Sequence, residues 1–333
     1  MYNVTRNHNG RVESTHMQAF PTMHTTDTTG TIKRLIDNVQ QAVVIDTATF
    51  ELMLAAMLAG GHVLLEDVPG TGKTMIAKAL AKSIHADFKR VQCTPDLLPS
   101  DITGSAVYNQ REQTFEFVAG PVFANIVLVD EINRASPRTQ SSLLEAMAEQ
   151  QVTADGFTRK LPDPFFLIAT QNPVEMSGTF PLPEAQLDRF LMMLEIGYPE
   201  YIDEVMILER EEHTNPLENV EPVLELDDVL ELRAAARRVD VMRSLKEYIV
   251  KVNHATRTHE NLVLGMSPRA GVAMQRVSQA LALIRGRDYA TPDDIKTAAT
   301  AVMPHRILSR DRRTETARDI VQDILKSVPV PVE

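Results

Sequence analysis

The chain has 333 residues but only one cysteine, Cys93, which excludes an intramolecular disulfide and a zinc site built on cysteine. Cys93 reads as a small core residue rather than a reactive thiol. Positive charge is also short: 34 Lys and Arg face 45 Asp and Glu, for a formal net charge of −11. That argues against a protein that coats nucleic acid or an anionic membrane, though a local basic patch is still allowed. Long apolar runs are missing. The longest, near "LMLAAMLAGGHVLL", is broken by Gly60, Gly61 and His62 and is too short to span a bilayer. The opening stretch "MYNVTRNHNGRVESTHMQAF" lacks the apolar core of a secretion signal. A reducing, cytoplasmic setting is therefore expected, with no membrane insertion. His8, His16, His24 and His62 show no metal-ligand spacing, and no repeat of solenoid period is present.

What remains is a chain long enough for two ordinary domains, 44% hydrophobic and 24% charged, as a soluble globular protein is. Residues 1–30, rich in Thr, Asn, His and Gly, read as a flexible tail. From Ile32 apolar runs alternate with amphipathic stretches. Thr47–Ala59 sets Phe50, Leu54, Met57 and Leu58 on one helical face. His62–Glu66, Phe88–Thr94, "NIVLVDE" (125–131), "FFLIATQN" (165–172) and "FLMMLEIG" (190–197) read as buried strands. Helices follow them at 74–85 and after Ser136-Pro137, an N-cap and first-turn proline. Such alternation predicts an α/β domain over 31–198, a parallel sheet of about five strands flanked by helices. Two segments break the alternation, near 101–123 and 151–161, and both read as projecting hairpins; the second carries an Asp155-Gly156 turn signal. After Pro199 strand signals stop. Residues 199–219 form a linker region and 220–333 an all-helical domain.

The chemistry sits in "HVLLEDVPGTGKTMIAKAL". A strand leads into Pro69, Gly70, Thr71, Gly72, Lys73 and Thr74, and a helix follows. The glycines let backbone N–H groups converge on an anion, and the helix N-terminus adds partial positive charge. Lys73 would reach the β- and γ-phosphates of a nucleotide, and the Thr74 hydroxyl would bind Mg2+. The strict phosphate-loop pattern asks for glycine where Asp67 stands. The phosphate cradle runs from Gly70 to Thr74, so Asp67 is expected to point away from it and cap the loop. Asp130 ends an apolar strand, where a P-loop site needs an acid for the Mg2+ shell. Glu131, one step on, is placed to polarise an attacking water. Asn172, ending another strand, would orient that water. Gln92 is placed to sense nucleotide through Glu131. Read singly, these are also a Gly-rich turn, two solvated acids and a turn-forming Asn.

In order, "GTGKT", "VLVDEINRASPRTQSSLLEAM", "IATQNP", "PLPEAQLDRF" and "MSPRA" resemble the MoxR family of AAA+ ATPases, from about Ile32 to about Leu308. The resemblance implies a P-loop AAA+ core with a C-terminal helical lid, ATP and Mg2+ as ligands, and a homo-hexameric ring. Lys73 and Thr74 then match Walker A, Asp130 and Glu131 Walker B, and Asn172 sensor 1. Arg189 matches the arginine finger, which serves a neighbouring subunit's nucleotide, and Arg269 matches sensor 2 on the lid. Arg134 and Arg138 are alternatives for the finger. The two hairpins resemble the inserts of this AAA+ branch. Family members remodel proteins, commonly with partners that carry von Willebrand A domains. A nucleic-acid motor and the motor subunit of a metal chelatase are the competing functions, and the mixed charge of both hairpins weighs against nucleic acid. No N-K-x-D motif for guanine follows the P-loop.

Overall fold

A computed structural model describes residues 28–68, 70–172, 178–212 and 215–331. The tail expected over 1–30 therefore lies outside the described residues up to position 27, but Thr28–Gly30 already belong to a helix. That helix, α1 (Thr28–Ala42), buries Ile32, Leu35 and Val39 at helical spacing. In α2 (Thr47–Leu58), Asp46 caps the start by accepting the Thr49 N–H at 2.9 Å. Phe50 and the whole run Met53–Leu58 are buried, so α2 is enclosed on all sides rather than on the single face expected.

Next come β1 (Val63–Glu66), α3 (Lys73–Ser83) and the five-residue strand β2 (Phe88–Gln92). A short α4 (Pro99–Thr103) opens the first insert, the hairpin β3 (Gly104–Asn109) and β4 (Thr114–Ala119). Gly104 has φ +84°, and a Cβ there would lie 2.3 Å from the Val118 carbonyl oxygen, so the hairpin base admits only glycine. After β5 (Ile126–Asp130), α5 (Pro137–Glu149) starts at Ser136, whose hydroxyl accepts the Thr139 N–H. The second hairpin, β6 (Gln151–Ala154) and β7 (Phe157–Lys160), turns through Asp155 and Gly156, both at positive φ (54° and 79°), the mirror-image turn its sequence predicts. β8 (Phe166–Gln171), α6 (Glu184–Leu187) and β9 (Met192–Leu194) complete the domain.

The central sheet runs β2-β5-β8-β1-β9, all parallel. β5 and β8 are buried almost end to end, as strands covered by helices on both faces must be. Because β1, β8 and β5 are neighbours, the loops leaving their carboxyl ends lie side by side, and a ligand site forms there in open sheets of this kind. The two hairpins brace each other. The Ala106 N–H donates to Asp155 Oδ2 at 2.8 Å, and the Arg159 guanidinium lies 3.6 Å from the Phe117 ring centre.

The rest is helical: α7 (Tyr201–Glu211), α8 (Leu226–Arg238), α9 (Arg243–Thr258), α10 (Pro268–Ile284), α11 (Pro292–Val302) and α12 (Thr314–Ser327). The helix expected to run to His213 ends its described course at Glu211, and His213 lies outside the described residues. Strand signals do not stop altogether. β10 (Leu262–Leu264) pairs antiparallel with β11 (Leu308–Ser309), pieces too short to show alternation. α8 and α10 pack on α2, and one hydrophobic cluster runs unbroken from Ile32 through the sheet to Leu325. The lid and the sheet domain thus share a core along one face.

Candidate nucleotide site

Gly70 and Gly72 adopt φ +89° and +80°, and Gly72 is the N-cap of α3. L-residues rarely hold that conformation, so these glycines set the curve of the loop. Pro69 lies outside the described residues. Asp67 does cap the loop: its carboxylate accepts the Val68 N–H and the Thr71 hydroxyl, each at 2.8 Å. It does not point wholly away, since it lines the cleft and its Oδ2 lies 4.0 Å from Lys73 Nζ. Lys73 folds back across the loop, donating to the Val68 carbonyl at 2.5 Å and to Thr71 Oγ1 at 3.0 Å. Burial lowers the Lys73 pKa, and Asp67, Asp130 and Glu131 work against that shift. The acid beside the P-loop thus helps keep the ammonium charged.

One cleft of about 450 Å³ gathers Gly70, Thr71, Gly72, Lys73, Thr74, Asp130, Glu131 and Asn172. These belong to segments a hundred residues apart, joined by the β1–β8–β5 adjacency. Glu131 has φ 56°, uncommon for a residue with a side chain and a mark of functional sites. Its N–H donates to Thr170 Oγ1 at 2.9 Å, and its carboxylate accepts Gln92 Nε2 at 2.8 Å and Arg134 Nη1 at 3.3 Å. The expected Gln92–Glu131 link is therefore present. The Thr74 hydroxyl and the Asp130 carboxylate are hard oxygen donors of the kind Mg2+ takes alongside phosphate oxygens. Among the described residues no cluster of three or more His, Cys, Asp or Glu could cage a metal alone. A metal shared with a nucleotide fits that donor set.

A second cavity, about 620 Å³, opens from the same loop through Gly70, Gly72 and Met75. Val43, Ile45, Ile196, Tyr198 and Ile207 give it apolar walls suited to a nucleobase. Sequence reading missed this half of the site, and it missed Arg90 and Thr170 in the first cleft. At the mouth of β1, Glu66 accepts Gln171 Nε2 at 3.0 Å and Arg318 of α12 at 3.3 Å, which ties the lid to the strand ends on either side of the loop.

Arg189 and Arg269 do not line this cleft. Arg189 is exposed and donates to the Leu144 carbonyl at 3.0 Å. Arg269, its side chain 74% exposed, lies 3.6 Å from Asp188, the residue before Arg189. The two arginines thus flank Asp188, away from their own chain's phosphate loop. Arg134 pairs with Glu131 at 3.3 Å and Arg138 is exposed.

Comparison with known proteins agrees with this geometry. Residues 62–192 match the model of the ATPase family associated with various cellular activities, and residues 254–324 match the AAA lid domain. The uncharacterized protein YeaC of Bacillus subtilis is 54% identical, over 85% of this chain and 89% of that one. Chaperone MoxR1 of Mycobacterium tuberculosis is 39% identical, over 90% of this chain and 82% of its own length. A crystal structure of an ATPase candidate from Cytophaga hutchinsonii superposes with a TM-score of 0.85 at 39% identity, covering 92% of this chain and 96% of that one.

Proposed function

The chain belongs to the MoxR family of AAA+ ATPases, and from that premise we propose that it hydrolyses ATP with Mg2+ to drive the remodelling of partner proteins. The observation that carries the reading is the single cleft holding Gly70–Thr74, Asp130, Glu131 and Asn172 together. Lys73 leaves the Val68 carbonyl and engages the phosphates. Glu131 takes a proton from the attacking water, and Asn172 holds that water in line. Thr74 and Asp130 hold the metal, which, when bound, neutralises charge building on the phosphate oxygens. Arg189 and Arg269, directed away from their own loop, reach the nucleotide of the next subunit, so turnover requires a ring, hexameric by the family resemblance. The name of the mycobacterial relative supports the chaperone reading. A von Willebrand A protein is the partner class we propose, in the cytoplasm. Among the described residues no helix is long and apolar enough to cross a membrane.

Steady-state phosphate release tests this directly. Lys73→Ala and Glu131→Gln should each lose about 100-fold or more in kcat. Wild-type turnover in a pure Glu131→Gln preparation would sink the reading. The subunit-crossing role is tested by mixing: Glu131→Gln and Arg189→Ala, each inactive alone, should regain activity together, because some interfaces then carry both intact groups. No recovery in mixed rings would place Arg189 elsewhere in the mechanism.

A further inference from the structure

Arg90 has no place in the mechanism above, yet it occupies the central acid of the cleft. It projects from β2, next to β5, in the register that sets Gln92 opposite Asp130. Arg90 Nε donates to Asp130 Oδ2 at 2.5 Å, a charge-assisted contact. Its Nη2 donates to Gln92 Oε1 at 3.1 Å. Gln92 Nε2 donates onward to Glu131 Oε2 at 2.8 Å. Asp130, Arg90, Gln92 and Glu131 are thus joined in one chain of hydrogen bonds, all of it lining the cleft.

The order of donors matters. Arginine has no acceptor, so the Gln92 amide must turn its oxygen to Arg90 and its NH2 to Glu131. The guanidinium therefore sets the direction of the amide, and the amide sets the hydrogen bond that restrains Glu131. Asp130 Oδ2 cannot serve a guanidinium and a metal at the same close distance. The other Asp130 oxygen has only the long contact with Thr170 Oγ1 at 3.5 Å. Arg90 is half-exposed, its side chain at 49%, and so has room to swing.

We propose that Arg90 is a positioning residue that reports metal arrival to Glu131. It stands in for the cation on Asp130 in the nucleotide-free site. It gives up Asp130 when Mg2+ and nucleotide bind, and its departure frees the Gln92 amide to rotate and release Glu131 for the water. Glu131 is restrained until metal and nucleotide are both in place. This inference rests on the reading of Asp130 as a metal ligand.

The test uses Mn2+ as a paramagnetic probe, with free Mn2+ read by electron paramagnetic resonance in the full chain saturated with ADP. Arg90→Met removes the competitor for Asp130, so Mn2+ should bind about three- to tenfold tighter than in wild type. Arg90→Lys keeps a cation near Asp130 but cannot fork to Gln92 as well. It should hold near wild-type Mn2+ affinity while losing kcat. Gln92→Leu should leave Mn2+ affinity unchanged and lower kcat about tenfold with an unaltered KM for ATP. Unchanged or weaker Mn2+ binding in Arg90→Met overturns the stand-in role, and wild-type kcat in Gln92→Leu overturns the relay. Asp130→Asn separates the underlying reading: it must lose Mn2+ binding, and if it does not, Asp130 is no metal ligand and the function proposed above fails with it.

Discussion

Replacing Arg306 by methionine should lower the unfolding midpoint by about 4 °C. Arg306 is 9% exposed and joins the lid to the loop that carries Arg189. Its Nε donates to Asp188 Oδ1 at 2.8 Å, Nη1 to the Val302 carbonyl at 2.7 Å, and Nη2 to the Phe190 carbonyl at 2.6 Å. Removing one partner of a buried ion pair costs about 3–5 kcal/mol. The lower end applies here, because Asp188 is 27% exposed and Arg269 lies near enough to replace part of the lost charge. Methionine keeps most of the side-chain length, so little cavity opens. Over 333 residues an unfolding entropy of about 2.1 cal/mol/K per residue gives about 0.7 kcal/mol/K, hence the shift of about 4 °C. If the lid melted by itself, over roughly 110 residues, the same loss would move its midpoint by about 13 °C. The unbroken hydrophobic cluster from Ile32 to Leu325 favours the smaller figure. Differential scanning calorimetry distinguishes them. A shift under about 1 °C refutes the ion-pair argument, and a separate lid transition in the wild type refutes the shared core.

Two further outcomes follow from single residues. Asp67→Gly should change ATP affinity less than about threefold, because the caps lost at Val68 and Thr71 are offset by release of Lys73. A tenfold gain by isothermal titration would show that Asp67 opposes the phosphates. Stability should also fall as pH drops from about 6.5 towards 4. His62 is 4% exposed, its Nδ1 accepts the Leu167 N–H at 3.1 Å, and burial pushes its pKa down to about 4. The unfolded chain binds that proton near pH 6.5 and the folded chain near 4, so the unfolded state gains protons first, at a cost of about 3 kcal/mol once complete. His305 shifts in the same direction, whereas the pKa of Glu66, raised by burial, opposes the trend at the acid end. Urea midpoints between pH 7.5 and 4.5 should show the slope, and His62→Asn should flatten it. An equally steep slope in that variant would exclude His62 as its source.

How much of this was legible depends on how local each feature is. The phosphate loop is one strand, one turn and one helix in sequence, so Gly70–Thr74 declared themselves through turn chemistry and helix start. Asp130 and Asn172 were legible because an apolar run ending in polar residues fixes a strand end, and in a parallel sheet strand ends converge. The nucleobase cavity was not. Its walls come from residues 42–47 and 196–216, joined only in the folded chain, and apolar side chains there look like ordinary core. Arg269 could be placed on the lid, but where the lid sets it, beside Asp188 rather than over its own nucleotide, depends on packing between helices that no short motif encodes. Arg90 was hidden by a different ambiguity. β2 is the outermost strand of the sheet, and its sequence FKRVQ carries the charged, exposed side chains that protect any sheet edge from pairing. An arginine that guards an edge and an arginine that reaches round that edge to the next strand's carboxylate are identical in sequence. They differ only in whether Asp130 lies within 2.5 Å, and the β2–β5 register decides that.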